Sequence, residues 1–347
     1  MSGNYDPVVL VGVVRSLLRP KSFLLDTFFP NVITATTEEV AIDVEKGNRR
    51  LAPFCSPLVE GKLVEGMGYT TNLFKPAYIK DKRAPDLLKP VRRAIGEQIG
   101  TGELTPAQRE EANLAIEMAD QIDMIVRRME WMAASALRTG TVTITGDGFP
   151  TTVVNFQRDP ALTIALTGAA RWSTDGKTLN NGIDPGDSIE DNVVLVMQKS
   201  GAAVEDIVFT PTAWRLFRKG DGVKEAIQSP NNTDVSIALG GGVAQGGMFK
   251  GTWGNYRLWL FNDWYTDPVD GQLKPFLPDG TVLLGSAAIE GRRMHGLIKD
   301  PKFNYQPMEF APKSWLVEDP AQRVLMMQSA PIVVPFRPDA SASMMVI

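Results

Sequence analysis

The chain has 347 residues, 44% of them apolar and 22% charged, with a net charge of −4. That is enough to bury a core and to form two domains, or one domain with large extensions; it excludes wholesale disorder and gives no support for a dedicated nucleic-acid binder, which would carry a strongly basic face. Cys55 is the single cysteine, so no intrachain disulfide can form, and synthesis in a reducing, cytosolic setting is expected.

Residues 7–18 are apolar but are interrupted by Arg15 and are too short to span a bilayer. A second cluster, Phe23, Leu24, Leu25, Phe28 and Phe29, lies between Pro20 and Pro30. No capped helix of useful length is evident there. So much aromatic surface would be a liability on a monomer, which leaves a buried turn or an arm lying on another subunit. In 51–85, Gly61, Gly66 and Gly68 sit among β-prone pieces (58–65 and 69–74), with Pro53, Pro57, Pro76 and Pro85 at the ends. This predicts a long two-stranded loop, marginal in water unless it docks. From Lys75 to Arg93 basic residues outnumber Asp81 and Asp86; a solvated face accounts for them, contact with an acidic partner surface being the alternative.

The strongest element is a helix over 106–138. Thr105 suits the N-cap, Pro106 the first helical position and Gln108 the capping box. Apolar residues recur at Leu114, Met118, Ile122, Ile125, Met129, Met132 and Ala136, a single buried stripe along a rod of roughly 50 Å. Gly140 is its C-cap. Val142 and Ile144, the turn Gly146-Asp147-Gly148 and the return Thr151–Phe156 predict a hairpin.

From about 158 to 300 the pattern is that of a compact α+β unit. Asp187 and Glu190 open a helix to Ser200, stopped by Gly201; Ile207–Phe209 is a buried strand; Thr210-Pro211 starts a helix through Trp214 and Phe217, ended by Gly220. Strands are expected at 256–261 and 281–284. The tail carries two more strand-like runs, 332–336 and 342–347, expected to pair into a sheet.

Chemistry-bearing motifs are scarce. His295 is the only histidine, and no Gly-x-Ser-x-Gly elbow exists, so His295 is read as a surface or interface residue. The run Gly240-Gly241-Gly242-Val243-Ala244-Gln245-Gly246-Gly247 has Gln245 where a dinucleotide fingerprint needs glycine, and no Gly-Lys-Ser/Thr follows it; it reads as a loop tip. Asp263, Asp267 and Asp270 lack the alternation of a calcium loop and read as turn residues. The expectation is a chain without catalytic residues, metal or cofactor.

Several strings, in register from Phe23 to Pro331, resemble the lambda-like family of E-type phage major capsid proteins. They include Phe23-Leu24-Leu25-Asp26-Thr27-Phe28-Phe29, Ser56-Pro57-Leu58-Val59-Glu60-Gly61, Pro76-Ala77-Tyr78-Ile79-Lys80, Trp214-Arg215-Leu216-Phe217, Lys313-Ser314-Trp315 and Gln328-Ser329-Ala330-Pro331. The longest is Phe276-Leu277-Pro278-Asp279-Gly280-Thr281-Val282-Leu283-Leu284-Gly285. The resemblance implies the α+β capsid fold of the Hong Kong 97 type, in which many copies form the pentamers and hexamers of an icosahedral head around double-stranded DNA. Mapped here, 1–50 would be an N-terminal arm, 51–85 an extended loop, 86–157 with 303–347 a peripheral domain carrying the spine helix, and 158–302 an axial domain.

Implied inter-subunit contacts are Phe23, Phe28, Phe29, Leu58, Lys62, Tyr69, Phe74 and Tyr78. Gly240, Gly242 and Gly246 would form an axial loop. A separate scaffolding protein, a portal protein and a decoration protein are implied partners, with the virion as destination, the bacterial cytoplasm as place of assembly and no membrane. Nothing singles out Lys62, Lys75 or Lys80 for the inter-subunit Lys–Asn bond some relatives form. The rivals are an encapsulin-type compartment shell of the same fold and an oligomeric soluble hydrolase.

Overall fold

The computed structural model describes residues 7–17, 21–37, 39–45, 51–52, 54, 57–58, 60, 69–84, 105–228, 243–244, 246–318 and 322–347. Its spine is the helix Pro106–Thr139, which starts and stops where the side chains dictate. The Thr105 hydroxyl accepts the Gln108 N–H, the Gln108 side chain accepts the Thr105 N–H, and Gly140 closes the last turn at φ +68°. Of the expected stripe, Met118, Ile122, Ile125, Met129, Met132 and Ala136 are buried, while Leu114, nearer the start, is half-buried. Burial of each long side chain contributes about 1.5–3 kcal/mol. Met124, one residue off the stripe, is half-exposed.

The stripe rests on the tail strand Pro331–Val334, on Gln322–Ser329 and on Thr141–Gly146, the first strand of the expected hairpin. That hairpin pairs Thr141–Gly146 with Phe149–Asn155, with an irregularity between Ile144 and Gly146. Two short N-terminal helices, Pro7–Ser16 and Phe23–Phe28, lie against the spine. The second is six residues long with no side-chain cap at Ser22, in keeping with the absence of a capped helix of useful length there. With only ten and six residues neither could persist alone; packing of Leu10, Val14 and the phenylalanines into the core holds them.

A seven-stranded sheet forms the second layer, in the order Thr163–Ala165, Ala342–Met345, Thr281–Gly285, Asp206–Phe209, Tyr256–Phe261, Gly247–Trp253, Val243–Ala244. Both Asp206–Phe209 and Thr281–Gly285 are buried at every position, as expected for strands covered on both faces. The helix Pro185–Ser200 belongs to the core beneath them. Its cap is Asp184, whose carboxylate accepts the Gly186 N–H, with Pro185 at the first helical position. The helix therefore begins two residues before Asp187, because a proline in the first turn loses no bond.

The C-terminal strand Ala342–Met345 pairs with Thr281–Gly285 and with Thr163–Ala165. The last residues of the chain thus sit within this sheet and touch the end of the spine, whereas Pro331–Val334 pairs with Arg292–His295. His295 is wholly buried there, correcting its reading as a surface residue: it is the end of a central strand whose other neighbour is Asn31–Thr34.

Spine and sheet are joined at Arg158. Its guanidinium donates to the carbonyls of Leu137 (2.5 Å) and Arg138 (2.7 Å), which the helix end leaves without partners, and to the hydroxyls of Thr163 (2.5 Å) and Ser343 (3.3 Å) on two sheet strands. Burial lowers its pKa to about 10, partly offset by Asp339, so the cation persists at neutral pH. Gly140 makes room for it: a Cβ there would lie 2.9 Å from the Arg158 Cβ. Asp159 extends the joint, its N–H donating to Asp339 (2.7 Å) and its carboxylate pairing with Lys199 (2.7 Å) at the end of the second long helix.

We expect Met129→Asp, an unpaired charge in the spine stripe, to cost about 3–5 kcal/mol, read as a lower midpoint in denaturant unfolding. Arg158→Met should cost about 2–4 kcal/mol by stranding helix carbonyls and two hydroxyls. In calorimetry it should also broaden or split a single transition, since the joint links two cores.

Candidate assembly site

Among the described residues, no group of three or more His, Cys, Asp or Glu side chains could hold a metal, and no helix is long and apolar enough to cross a membrane. Two of the three aspartates serve turn chemistry, and Asp263 accepts the N–H of its neighbour Trp264. Asp267 and Asp270 accept the N–H groups of Val269 and Gln272 (both 2.9 Å), and Lys274 bridges the two carboxylates at 2.6 and 2.7 Å. Those contacts hold both carboxyls below the usual range, the Lys274 hydrogen bond contributing most. Gly240 and Gly242 lie outside the described residues. Gly246 turns the chain at φ +79° between Val243–Ala244 and Gly247–Trp253, and its carbonyl accepts the Asn262 N–H.

Two strands distant in sequence form a ribbon. Val40–Glu45 pairs antiparallel with Tyr69–Phe74, from Val40 opposite Phe74 to Glu45 opposite Tyr69, and no described third strand joins either edge. The partner of Tyr69–Phe74 is thus Val40–Glu45, in the segment assigned to the arm, and not the 58–65 piece, most of which lies outside the described residues. β-Propensity did mark 69–74 as a strand, but pairing between distant segments carries no local signal.

Leu51, Phe54 and Leu58 lie between the two strands in sequence and are almost fully exposed, at 96, 107 and 96%. Three large apolar side chains bare within eight residues are what a contact surface looks like before it is covered. Lys62 falls outside the described residues, and Tyr69 is placed only as the strand residue opposite Glu45.

At its base the ribbon is anchored. Phe74 is buried in the core and Tyr78 is half-buried, its hydroxyl donating to the Leu297 carbonyl. Both were expected as inter-subunit contacts; here they fix the ribbon to its own chain. Pro76 is packed against Gly296, where an added Cβ would lie 3.0 Å away. Ile79–Arg83 then becomes the third strand beside Gln322–Ser329. Arg83 pairs with Asp81 (2.9 Å) and with Glu117 (3.1 Å) and Asp120 (2.5 Å) of the spine. Burial pulls its pKa down, and the three carboxylates more than reverse this. Lys82 lies 5.7 Å from the Trp315 ring. These described members of the 75–93 basic run are engaged with their own chain.

The arm phenylalanines depart most from expectation. Phe23, Phe28 and Phe29 are buried within this chain, since a floor is built for them. Phe23 meets Trp259 (5.0 Å) and Phe261 (5.9 Å). A Cβ on Gly247 would lie 2.5 Å from the Phe23 ring, and one on Gly285 2.7 Å from the Phe28 ring. A Cβ on Gly291 would strike the Phe28 carbonyl. Three separate strands or loops thus surrender side chains to seat one short helix. Arg293 closes its far end, donating to the Phe29 carbonyl and to Asp26 (both 2.6 Å).

The profile of the family described as phage major capsid protein E matches residues 6–346. The chain belongs to that family. The major capsid protein of Escherichia phage lambda is 30% identical over 348 residues, spanning 98% of both chains. That of Escherichia phage N15 is 29% identical over 345 residues, again 98% of both. A solved structure described as the putative capsid protein of a prophage of E. coli CFT073 superposes with a TM-score of 0.74 at 21% identity, covering 99% of each chain. The fold is the α+β capsid fold of the Hong Kong 97 type.

Within the capsid protein E chain, then, the described N-terminal residues are not wholly outward: Leu10, Val14 and the cluster from Phe23 to Phe29 complete the subunit's own core, and large apolar side chains stand bare at Leu51, Phe54 and Leu58. Neither the glycine floor nor Glu130, which receives the arm backbone, was singled out in the sequence. A glycine in a strand hints at close approach, but nothing local says of what.

We expect Gly291→Ala to unseat the arm helix at a cost of about 1–3 kcal/mol, seen as faster proteolytic cleavage between residues 17 and 31 with the far sheet unaffected.

Proposed function

We propose that this chain is the major capsid protein of a tailed phage. Its copies associate as pentamers and hexamers and close an icosahedral head around packaged double-stranded DNA. The full-length family match supports the capsid role. The observation that carries the assembly mechanism is the ribbon: firmly rooted at Phe74, Pro76 and Tyr78, bare at Leu51, Phe54 and Leu58, and marginal as an isolated pair of strands.

Such an element gains stability by lying on a neighbour. Every subunit offers one and receives another, so contacts that are weak singly become effectively intramolecular once a ring has formed. The rooted base fixes the direction of the ribbon, while the two strands can flex to suit the different curvature of pentamers and hexamers. In this reading the inter-subunit contacts of the loop are Leu51, Phe54 and Leu58, with Lys62 and Tyr69 beside them, and Gly240, Gly242 and Gly246 belong to a loop near the capsomer axis. Partners are further copies of the chain, a separate scaffolding protein, a portal and a decoration protein. Assembly takes place in the bacterial cytoplasm and ends in the virion. The role requires no catalytic group.

Replacing residues 46–68 by Asn-Gly would join Glu45 to Tyr69 through a two-residue turn without touching Ile79–Arg83. We expect a chain that folds with near-native circular dichroism yet gives no closed shells in negative-stain microscopy when produced with its neighbouring head genes. Intact particles from that variant would overturn the assembly mechanism.

A further inference from the structure

One buried ionisable group has no part in the assembly mechanism. Glu130 lies on the spine with 2% of its surface exposed, and its two carboxyl oxygens accept the N–H groups of Leu24 (2.8 Å) and Leu25 (2.9 Å). These are the backbone donors that the start of the arm helix leaves free. Behind the helix are the glycine floor and the Phe23–Trp259 contact; at its far end is Arg293.

Charges that act on Glu130 from the neighbouring elements include Asp26 of the arm helix itself and Asp263, which follows the strand Tyr256–Phe261 and itself faces Arg127 of the spine. Both are negative, and Asp26 is already paired with Arg293. No cation makes a salt bridge to the carboxyl among the described residues, so two N–H groups alone hold whatever charge it carries.

We propose that Glu130 is a proton-linked latch for the arm: seating the helix on the spine takes up a proton at this carboxyl, so the arm is held in mild acid and loosens as the pH rises toward neutrality. The physical cause is burial, which disfavours the carboxylate more than the two N–H groups favour it, with Asp263 and Asp26 adding to the effect. The carboxyl is pushed up to about 7 from an ordinary 4.5. A raised acid favours the seated state below the pKa of the released group. That advantage is complete below pH about 4.5, falls through the interval up to about 7, and is lost above it. The inference stands whether or not the chain forms shells.

The test is amide hydrogen exchange of the full-length protein at pH 5 and pH 8, corrected for intrinsic rates, followed at Leu24 and Leu25. Protection there should fall by on the order of 100-fold across the interval, while Ile207–Phe209 in the far sheet should keep its protection. In Glu130→Gln, whose carboxamide still offers one acceptor, the pH dependence should disappear. Should that variant not fold, Asp263→Asn serves instead and should move the midpoint to lower pH. Protection at Leu24 and Leu25 independent of pH, an equal loss at Ile207–Phe209, a surviving pH dependence in Glu130→Gln, or an unmoved midpoint in Asp263→Asn would each overturn the latch.

Discussion

The guanidinium of Arg158 ties the end of the spine to the large sheet. The spine ends in carbonyls that no later helical residue can satisfy, and Arg158 satisfies them while reaching the hydroxyls of Thr163 and Ser343 on adjacent strands of the large sheet. The charge suits the site, because a helix C-terminus carries partial negative charge and the planar fork can serve several acceptors at once. Gly140 is required twice over, by its left-handed backbone and by the closeness of Arg158. Since Ser343 belongs to the last strand, the C-terminus of the chain is tied to the end of the helix that organises its beginning.

Around that joint lie two cores of different character. One gathers the spine stripe, Leu10, Val14, the cluster from Phe23 to Phe29 and the strand Pro331–Val334; the other is built on the helices and strands between Leu162 and Leu284, with the final strand. The base of the ribbon enters the first of them at Phe74. The subunit is tightly packed where the spine, sheet and N-terminal helices meet, whereas Val40–Glu45 and Tyr69–Phe74 pair with each other and with no described third strand. A shell requires that combination, since identical chains must hold one shape and still meet neighbours at different angles.

The seating of the arm shows how a segment with poor local credentials becomes ordered. Six residues cannot sustain a helix, but Phe23–Phe28 is gripped at its start by Glu130, at its end by Arg293, and along its length by three glycines that leave room for rings. Aromatic density in the sequence correctly marked the segment as one that must be covered. That the cover comes from the same chain depends on Gly247, Gly285 and Gly291, spread over 45 residues and converging only in space.

Local rules therefore reached a definite depth. The spine with both caps, the hairpin after it, the strands Ile207–Phe209 and Tyr256–Phe261 and the absence of a recognisable catalytic motif were all legible, because capping, periodicity and turn chemistry act between residues a few positions apart. The strings shared with capsid proteins carried the family and the fold class. Only the tertiary structure decided that Tyr69–Phe74 pairs with Val40–Glu45, that the final strand enters the large sheet, that His295 and the arm phenylalanines are interior, and that Arg158 and Glu130 sit where helix ends need them. Each of those depends on which distant segments meet, and a free energy of contact between segments a hundred residues apart leaves no mark on the short-range pattern of either one.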